Sequence, residues 1–284
     1  MTKQANSKAF KLIISVITVA LTLYSAGKAI RHAEDSYTQE LAGMRHDPGE
    51  RMQRFHRTDK DGLIAHGGGI GEFLYTNSTE SIEDSLRRNF RFIEIDFQET
   101  LDHHLIGAHD WRHFHSISGN MGESAPLSLS QVQSRRIHQK YHAATAADLC
   151  DFIRCHPDFI LVTDKINNFE LLLREIPYPE RMIVEVFSAQ DYLRAMKAGI
   201  LFPAFNVPNQ ASLKLACQHL FPIITISANL FLANVETMQS LHSQGICIMV
   251  YDTEEIDLPA FMNEHLGNTA SMIYTGEIPP ASKN

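Results

Sequence analysis

From Gly62 onward, short apolar runs alternate with longer stretches in which apolar positions recur every three or four residues. Strand-like runs occupy 63–66, 91–97, 159–164, 182–187, 202–206, 223–226, 246–251 and 272–275. Helical patterns fill 79–89, 146–154, 169–176, 191–198, 212–219, 235–243 and 258–266. Strands alternating with helices predict βα units and a parallel sheet, and eight strands predict its closure as a TIM (β/α)8 barrel. One stretch, 98–140, breaks the alternation. Its first part, "QETLDHHLIGAHD", predicts a hairpin extending the second strand, and the Ser/Gly-rich 112–126 predicts a long loop. The barrel is expected over 62–280, after a polar linker over 31–61.

The first 30 residues follow a different pattern. "AFKLIISVITVALTLYSAG" is almost wholly apolar or small, with Lys3, Lys8 and Lys11 at its start. About 20 such residues cross the hydrocarbon core of a bilayer. The stretch predicts a transmembrane anchor or a signal segment over 1–30. Gly27 to Ala29 offers a small-x-small cleavage site, whereas Lys28 and Arg31 resist translocation. The basic start favours an internal N-terminus, so the rest of the chain is expected on the extracytoplasmic (periplasmic or extracellular) side, held at the membrane.

Composition adds two limits. A chain of 284 residues has room for one barrel of the usual ~250 residues plus this appendage. A net charge of -8 argues against a nucleic-acid partner and means that an anionic ligand must be met by local positive charge. The four cysteines, at 150, 155, 217 and 247, lack zinc spacing.

The chemistry concentrates early in the predicted barrel. In "RFIEIDF", side chains alternate, so Phe92, Glu94 and Asp96 share one face and Ile93, Ile95 and Phe97 the other. Two neighbouring carboxylates on a buried strand repel and lose hydration, and a divalent cation is the economical compensation. Two histidines accompany them: His66 ends "LIAH" before three glycines, and His109 stands beside Asp110 in "IGAHDW". Imidazoles titrate near neutrality and suit proton transfer beside a hard cation. Charged residues also decorate strand ends without function, but Glu, Asp and two His coincide here. Barrel enzymes build their sites at the carboxyl ends of the strands, where His66, Asp96 and Asp164 all fall.

The order of these motifs resembles the glycerophosphodiester phosphodiesterase family, within the phospholipase C-like phosphodiesterases. That family carries His-Arg-Gly, Glu-Asn-Thr, Glu-x-Asp, Thr-x-Asp-Gly and His-Asp in sequence. Here His66-Gly67-Gly68, Thr76-Asn77-Ser78, Glu94-Ile95-Asp96, Thr100-Leu101-Asp102-His103 and His109-Asp110 stand in those places. The match is specific from Leu63 to Trp111 and continues weakly to about Pro280. The resemblance implies a metal-dependent phosphoric diester hydrolase in which His66 and His109 share the general acid and base roles. It implies Glu94, Asp96 and Asp164 as metal ligands, and hard oxygen donors point to Mg2+ or Ca2+. The substrate would be a small-molecule, lipid or glycan phosphodiester. Tyr251 occupies the place of a tryptophan that packs on substrate in the family, and Glu185 and Asn206 are candidate pocket residues at strand ends.

Two departures qualify the resemblance. Gly67 replaces the motif arginine, and Asp164-Lys165 replaces Glu-x-Lys, which suggests a divergent branch. Adjacent residues of a straight strand face opposite ways, so either the chain turns after Asp164 and Lys165 enters the site, or Lys165 is solvated. Two other readings stay open: a phospholipase D-like lyase, and a non-catalytic anchored module that binds phosphorylated glycans or lipid headgroups. The histidines at 103, 104, 113 and 115 fall in expected loop sequence and are read as a solvated, pH-responsive tract, with Trp111 as a loop anchor.

Overall fold

Hydrophobic alternation along each strand is the force that shapes the barrel. The computed structural model describes residues 40–41 and 62–276. The chain falls into two compact units, Met1–Arg45 and His46–Asn284, and the barrel belongs to the second. Its strands are β1 (Leu63–Ala65), β2 (Phe92–Glu99), β3 (Leu105–Gly107), β4 (Ile160–Asp164), β5 (Met182–Val186), β6 (Pro203–Val207), β7 (Ile223–Ser227), β8 (Cys247–Tyr251) and β9 (Met272–Thr275). All but β3 run parallel in the order β1-β9-β8-β7-β6-β5-β4-β2, and β1 pairs with β2 to close the ring. The expected eight-stranded barrel is therefore present. β3 pairs antiparallel with β2, with Phe97 opposite Gly107, which is the expected hairpin extension.

Among the described residues of the barrel, ten helices accompany the strands: α1 (Thr79–Arg87), α2 (Trp111–Ile117), α3 (Leu129–Gln133), α4 (Ala146–Cys155), α5 (Phe169–Glu175), α6 (Ala189–Ala198), α7 (Gln210–His219), α8 (Ala228–Leu232), α9 (Val235–Ser243) and α10 (Leu258–His265). Caps set many of their starts. Ser78 and Thr145 each accept from the backbone N–H three residues on, while the side chain there returns a bond to the cap's own N–H.

The long loop expected over 112–126 is corrected by α2. Asp110 caps this helix by accepting from His113 N at 2.7 Å. Trp111 and Phe114 turn into an apolar cluster with Leu127, Val132, Ile137 and Tyr141. Two apolar side chains at helical spacing, hidden among serines and histidines, suffice because the hairpin supplies the surface they cover. His113 and His115 are thus helical residues, and His115 is buried. Trp111 anchors the start of a helix rather than a loop.

The inward faces of the strands set the position of the site. Ile64, Phe92, Ile160, Val162, Ile183, Ile223, Met249 and Met272 fill the barrel interior toward its amino-terminal end. Farther along the same faces stand Glu94, Asp96, Asp164, Glu185, Asn206 and Thr225, all in strands. Apolar layers below exclude water from beneath the polar layer and fix its floor. The expected segment 1–30, and the linker over 31–61 apart from 40–41, lie outside the described residues. Among the described residues no helix is long and apolar enough to cross a membrane.

The two phenylalanines Phe92 and Phe187 test this assignment of the interior. Phe92 is fully buried, whereas Phe187 is 53% exposed. Phe92→Ala is expected to lower unfolding free energy by about 3–5 kcal/mol, through lost burial and a residual cavity. Phe187→Ala is expected to stay within about 0.5 kcal/mol of wild type. Urea unfolding of the two variants checks the pair.

Candidate active site

At the carboxyl ends of the strands, a cleft of about 370 Å³ gathers His66, Glu94, Asp96, His109, Asp164, Lys165, Glu185 and Tyr251. Eight of the nine sequence-derived candidates therefore line one space. Asn206 lies buried beside it and donates to Glu185 at 3.4 Å and to Thr225 at 2.9 Å.

The acids form its centre. Register pairs Asp96 of β2 with Asp164 of β4, and Glu94 lies two residues earlier on the same face. Oxygen atoms of Glu94, Asp96 and Asp164 all lie within 4.8 Å of one another. Glu94 accepts from Gly67 N at 2.7 Å. Asp96 accepts from Asn77 Nδ2 at 2.9 Å, and its backbone N–H donates to Asn77 Oδ1 at 3.0 Å. Asp164 Oδ1 is buried without a hydrogen-bond partner. A buried carboxylate oxygen left bare costs about 1–3 kcal/mol or more, and such an atom calls for an explanation. Three hard oxygen donors converging around a bare lone pair fit Mg2+ or Ca2+.

Their charges are unequal. Burial, then the Asp96 and Asp164 charges, push the Glu94 carboxyl well above its usual range. Burial and the Asp96 charge do the same to Asp164. Burial also opposes charge on Asp96, but Lys165 and the amide of Asn77 outweigh it and hold that carboxyl low. Without a cation, ionisation is therefore favoured at Asp96 and opposed at Glu94 and Asp164.

Lys165 resolves the alternative left by the sequence. Its φ of 57° places it in the left-handed region, so the chain turns immediately after Asp164. That turn brings Nζ within 2.5 Å of Asp96 Oδ1. A left-handed non-glycine residue costs about 1–3 kcal/mol, here offset by a partly buried ion pair.

Gly67 accounts for the missing arginine. It too is left-handed (φ 57°), and a Cβ built there would lie 2.6 Å from Tyr75 Cα. The backbone of Tyr75, itself at φ 58°, fills the space any side chain at 67 would enter.

The two histidines line the same cleft as the acids, each beside a carboxylate. His109 Nδ1 lies 2.8 Å from Asp110 Oδ2. Burial tends to raise the Asp110 carboxyl, but the bonds from His113 N and His109 bring it below its ordinary value. His66 Nδ1 lies 3.4 Å from the Tyr75 hydroxyl and 3.7 Å from Glu254 Oε1. Deeper in, Glu185 accepts from Thr225 at 2.9 Å and from the Tyr274 hydroxyl, and burial raises its carboxyl.

Sequence reasoning missed Tyr75, His113, Tyr274 and Glu254 as site residues, and gave Asn77 no role. Tyr274 stands next to last in the last strand, on the inward face, a signal open to the same alternation argument used for Glu94. His113 lies in the first turn of α2, which brings its ring to 5.8 Å from that of His109, a contact that identification of the helix would have exposed. Nothing local marks Glu254.

No family model matches the chain, and no curated protein matches it either. Solved structures do. A glycerophosphoryl diester phosphodiesterase from Parabacteroides distasonis is 16% identical with a TM-score of 0.64, over 80% of this chain and 87% of that one. A putative glycerophosphoryl diester phosphodiesterase from Agrobacterium tumefaciens is 16% identical with a TM-score of 0.63, over 76% of this chain and 93% of that one. An Oleispira antarctica phosphodiesterase, solved in complex with the product sn-glycerol-3-phosphate, is 13% identical with a TM-score of 0.59, over 75% of this chain and 92% of that one. The chain therefore shares the fold of solved glycerophosphodiester phosphodiesterases over most of their length, as the motifs led one to expect.

The acid cluster makes a signed prediction for the metal-free protein. For Glu94 and Asp164 the folded pKa is raised, so above about pH 4 the folded chain binds more protons than the unfolded one. Their contribution is favourable at acid pH and is lost as pH rises toward neutrality. Asp96, held low, contributes in the opposite sense, and its share is lost only as pH falls below about 4. In chelator, urea midpoints should fall from about pH 5 upward, and Glu94→Gln should flatten that fall. An identical slope in wild type and variant would rule out the charge arrangement described here.

Proposed function

We propose that the protein is a metal-dependent phosphodiesterase, cleaving a glycerophosphodiester-like or related phosphodiester. One observation carries this reading: two histidines, each backed by a carboxylate, share a cleft with an acid cluster whose Asp164 Oδ1 is buried and bare. The shared fold supports it, as does the product held by the Oleispira relative. A module that only bound a headgroup would have no need of two carboxylate-backed imidazoles lining one cleft.

Glu94, Asp96 and Asp164 would hold the cation. When bound, it supplies positive charge to a phosphate and a hold on a substrate hydroxyl. Lys165 supplies the second positive charge, which an acidic chain must provide locally. One histidine takes a proton from the water that attacks phosphorus and the other gives one to the leaving alcohol. Both roles suit a side chain that titrates near neutrality. Tyr251 and the polar floor of Glu185 and Tyr274 meet the alcohol portions of the substrate.

The direct test is turnover of bis(p-nitrophenyl) phosphate and of glycerophosphodiesters with added Mg2+ or Ca2+. Chelation should abolish activity, and His66→Gln or His109→Gln should lower kcat by about 10²–10⁴-fold. Lys165→Met should raise KM more than it lowers kcat. Full activity in chelator, or in both histidine variants, would overturn the reading. A cyclic phosphate product would assign the lyase chemistry instead of hydrolysis.

The proposal extends to location. The apolar run over 9–27, with its basic start, is a membrane anchor that leaves the barrel on the extracytoplasmic side. The protein should stay with membranes after a high-salt wash and retain its N-terminus. A mature chain beginning near Ile30 would show a cleaved signal instead.

A further inference from the structure

His66 reaches the cleft from a 3-10 turn at the end of β1, a short and glycine-flanked perch. Nothing in that turn orients its ring. The orienting groups come from elsewhere. Tyr75 packs edge-on against the imidazole at a centroid distance of 4.7 Å, and Tyr274 does so from another side at 5.5 Å. The Tyr75 hydroxyl donates to Glu254 Oε1 at 3.3 Å and lies 3.4 Å from His66 Nδ1.

The protons in this group can be counted. A phenol has one hydrogen, and Tyr75 gives it to Glu254, whose carboxylate can only accept. Toward His66 the phenol oxygen then has only lone pairs to offer. Glu254 Oε1 also lies 3.7 Å from the same Nδ1. Both neighbours of Nδ1 are acceptors, so Nδ1 carries the ring hydrogen and Nε2 holds the free lone pair.

The anchoring is built in. Glu254 sits in the turn Thr253–Glu255 after β8, entered through left-handed Asp252 at φ 54°. Buried Thr253 donates to Tyr274 O at 2.7 Å and ties that turn to β9. Tyr75 is itself left-handed and rests on the empty side of Gly67. Two strained backbone positions on separate loops thus converge on one imidazole nitrogen. Glu254 is also held ionised: the neighbouring His66 imidazole lowers its carboxyl to about 2.

We infer that Tyr75 and Glu254 are positioning residues that fix His66 as the Nδ1–H tautomer and leave Nε2 as its reacting nitrogen. Only the kinetic part of this inference rests on the proposed phosphodiesterase activity; the tautomer is a property of the folded chain. The arrangement parallels His109 and Asp110, with one difference. Asp110 is a sequence neighbour, whereas Glu254 lies 188 residues from His66 in sequence, as the residue numbers show.

Long-range 1H–15N correlation of the full chain reads the tautomer directly. The His66 signals are assigned by their loss in His66→Gln, and the spectra are taken at a pH where the ring is neutral. Wild type should show the Nδ1–H pattern. Glu254→Gln offers Nδ1 a side-chain amide in place of a carboxylate, and should shift His66 toward Nε2–H. Tyr75→Phe should shift it partially, and Glu254→Asp should restore the Nδ1–H pattern at least in part. An Nε2–H pattern in wild type, or no shift in Glu254→Gln, would overturn the inference. On bis(p-nitrophenyl) phosphate with saturating metal, Glu254→Gln should lower kcat on the order of 10–100-fold with KM little changed. A loss confined to KM would also overturn it. If wild type turned over no phosphodiester, the proposed activity would fall while the spectra still decided the tautomer.

Discussion

Repulsion among three carboxylates that approach within 4.8 Å is the constraint around which this barrel is arranged. Parallel register makes it unavoidable, because β2 and β4 place Asp96 and Asp164 side by side. Each remaining feature of the site relieves a part of it. Gly67 N–H and Asn77 solvate Glu94 and Asp96 from the barrel side, and Lys165 cancels one charge. What stays unrelieved is Asp164 Oδ1, and the apolar layers below leave it no access to water from beneath. That remainder is the observation on which the proposed cation site rests.

The relief is obtained at the cost of local strain. Tyr75, Asn77 and Lys165 all adopt left-handed backbone without being glycine. Asn77 illustrates why such strain persists. Its side chain spans the carboxylate and the backbone N–H of Asp96, and its backbone bonds Gly67 O at 2.9 Å and Ala144 N at 3.0 Å. Four bonds over-determine one residue, so its conformation is fixed before any ligand arrives.

Much of this was legible in the sequence, for an identifiable reason. The barrel, Glu94, Asp96 and Asp164 were readable because a period of two carries inward and outward positions along each strand, and strand ends mark the site in this architecture. Lys165 was ambiguous because its direction depends on a single φ angle that no pattern encodes. Helix α2 was misread because capping by Asp110 and two buried aromatic residues define it, while its composition is that of a loop. Glu254 was invisible because its partner is 188 residues away and no local motif distinguishes it from a solvated charge.

The absent arginine then takes on a structural meaning. In a glycine at φ 57° the missing side chain does more than permit a turn, because the Tyr75 backbone occupies the vacated volume. That approach is what brings the Tyr75 hydroxyl to His66 and Glu254. A bulkier residue at 67 would push Tyr75 away and loosen His66 with it. Within the cleft the positive side chain is that of Lys165, bonded to Asp96. The site lacks a clamp beside its first histidine and has instead a fixed orientation of that histidine. Gly67 and Lys165, which look in the sequence like two separate departures from a motif, are both left-handed positions at which the backbone decides what enters the cleft.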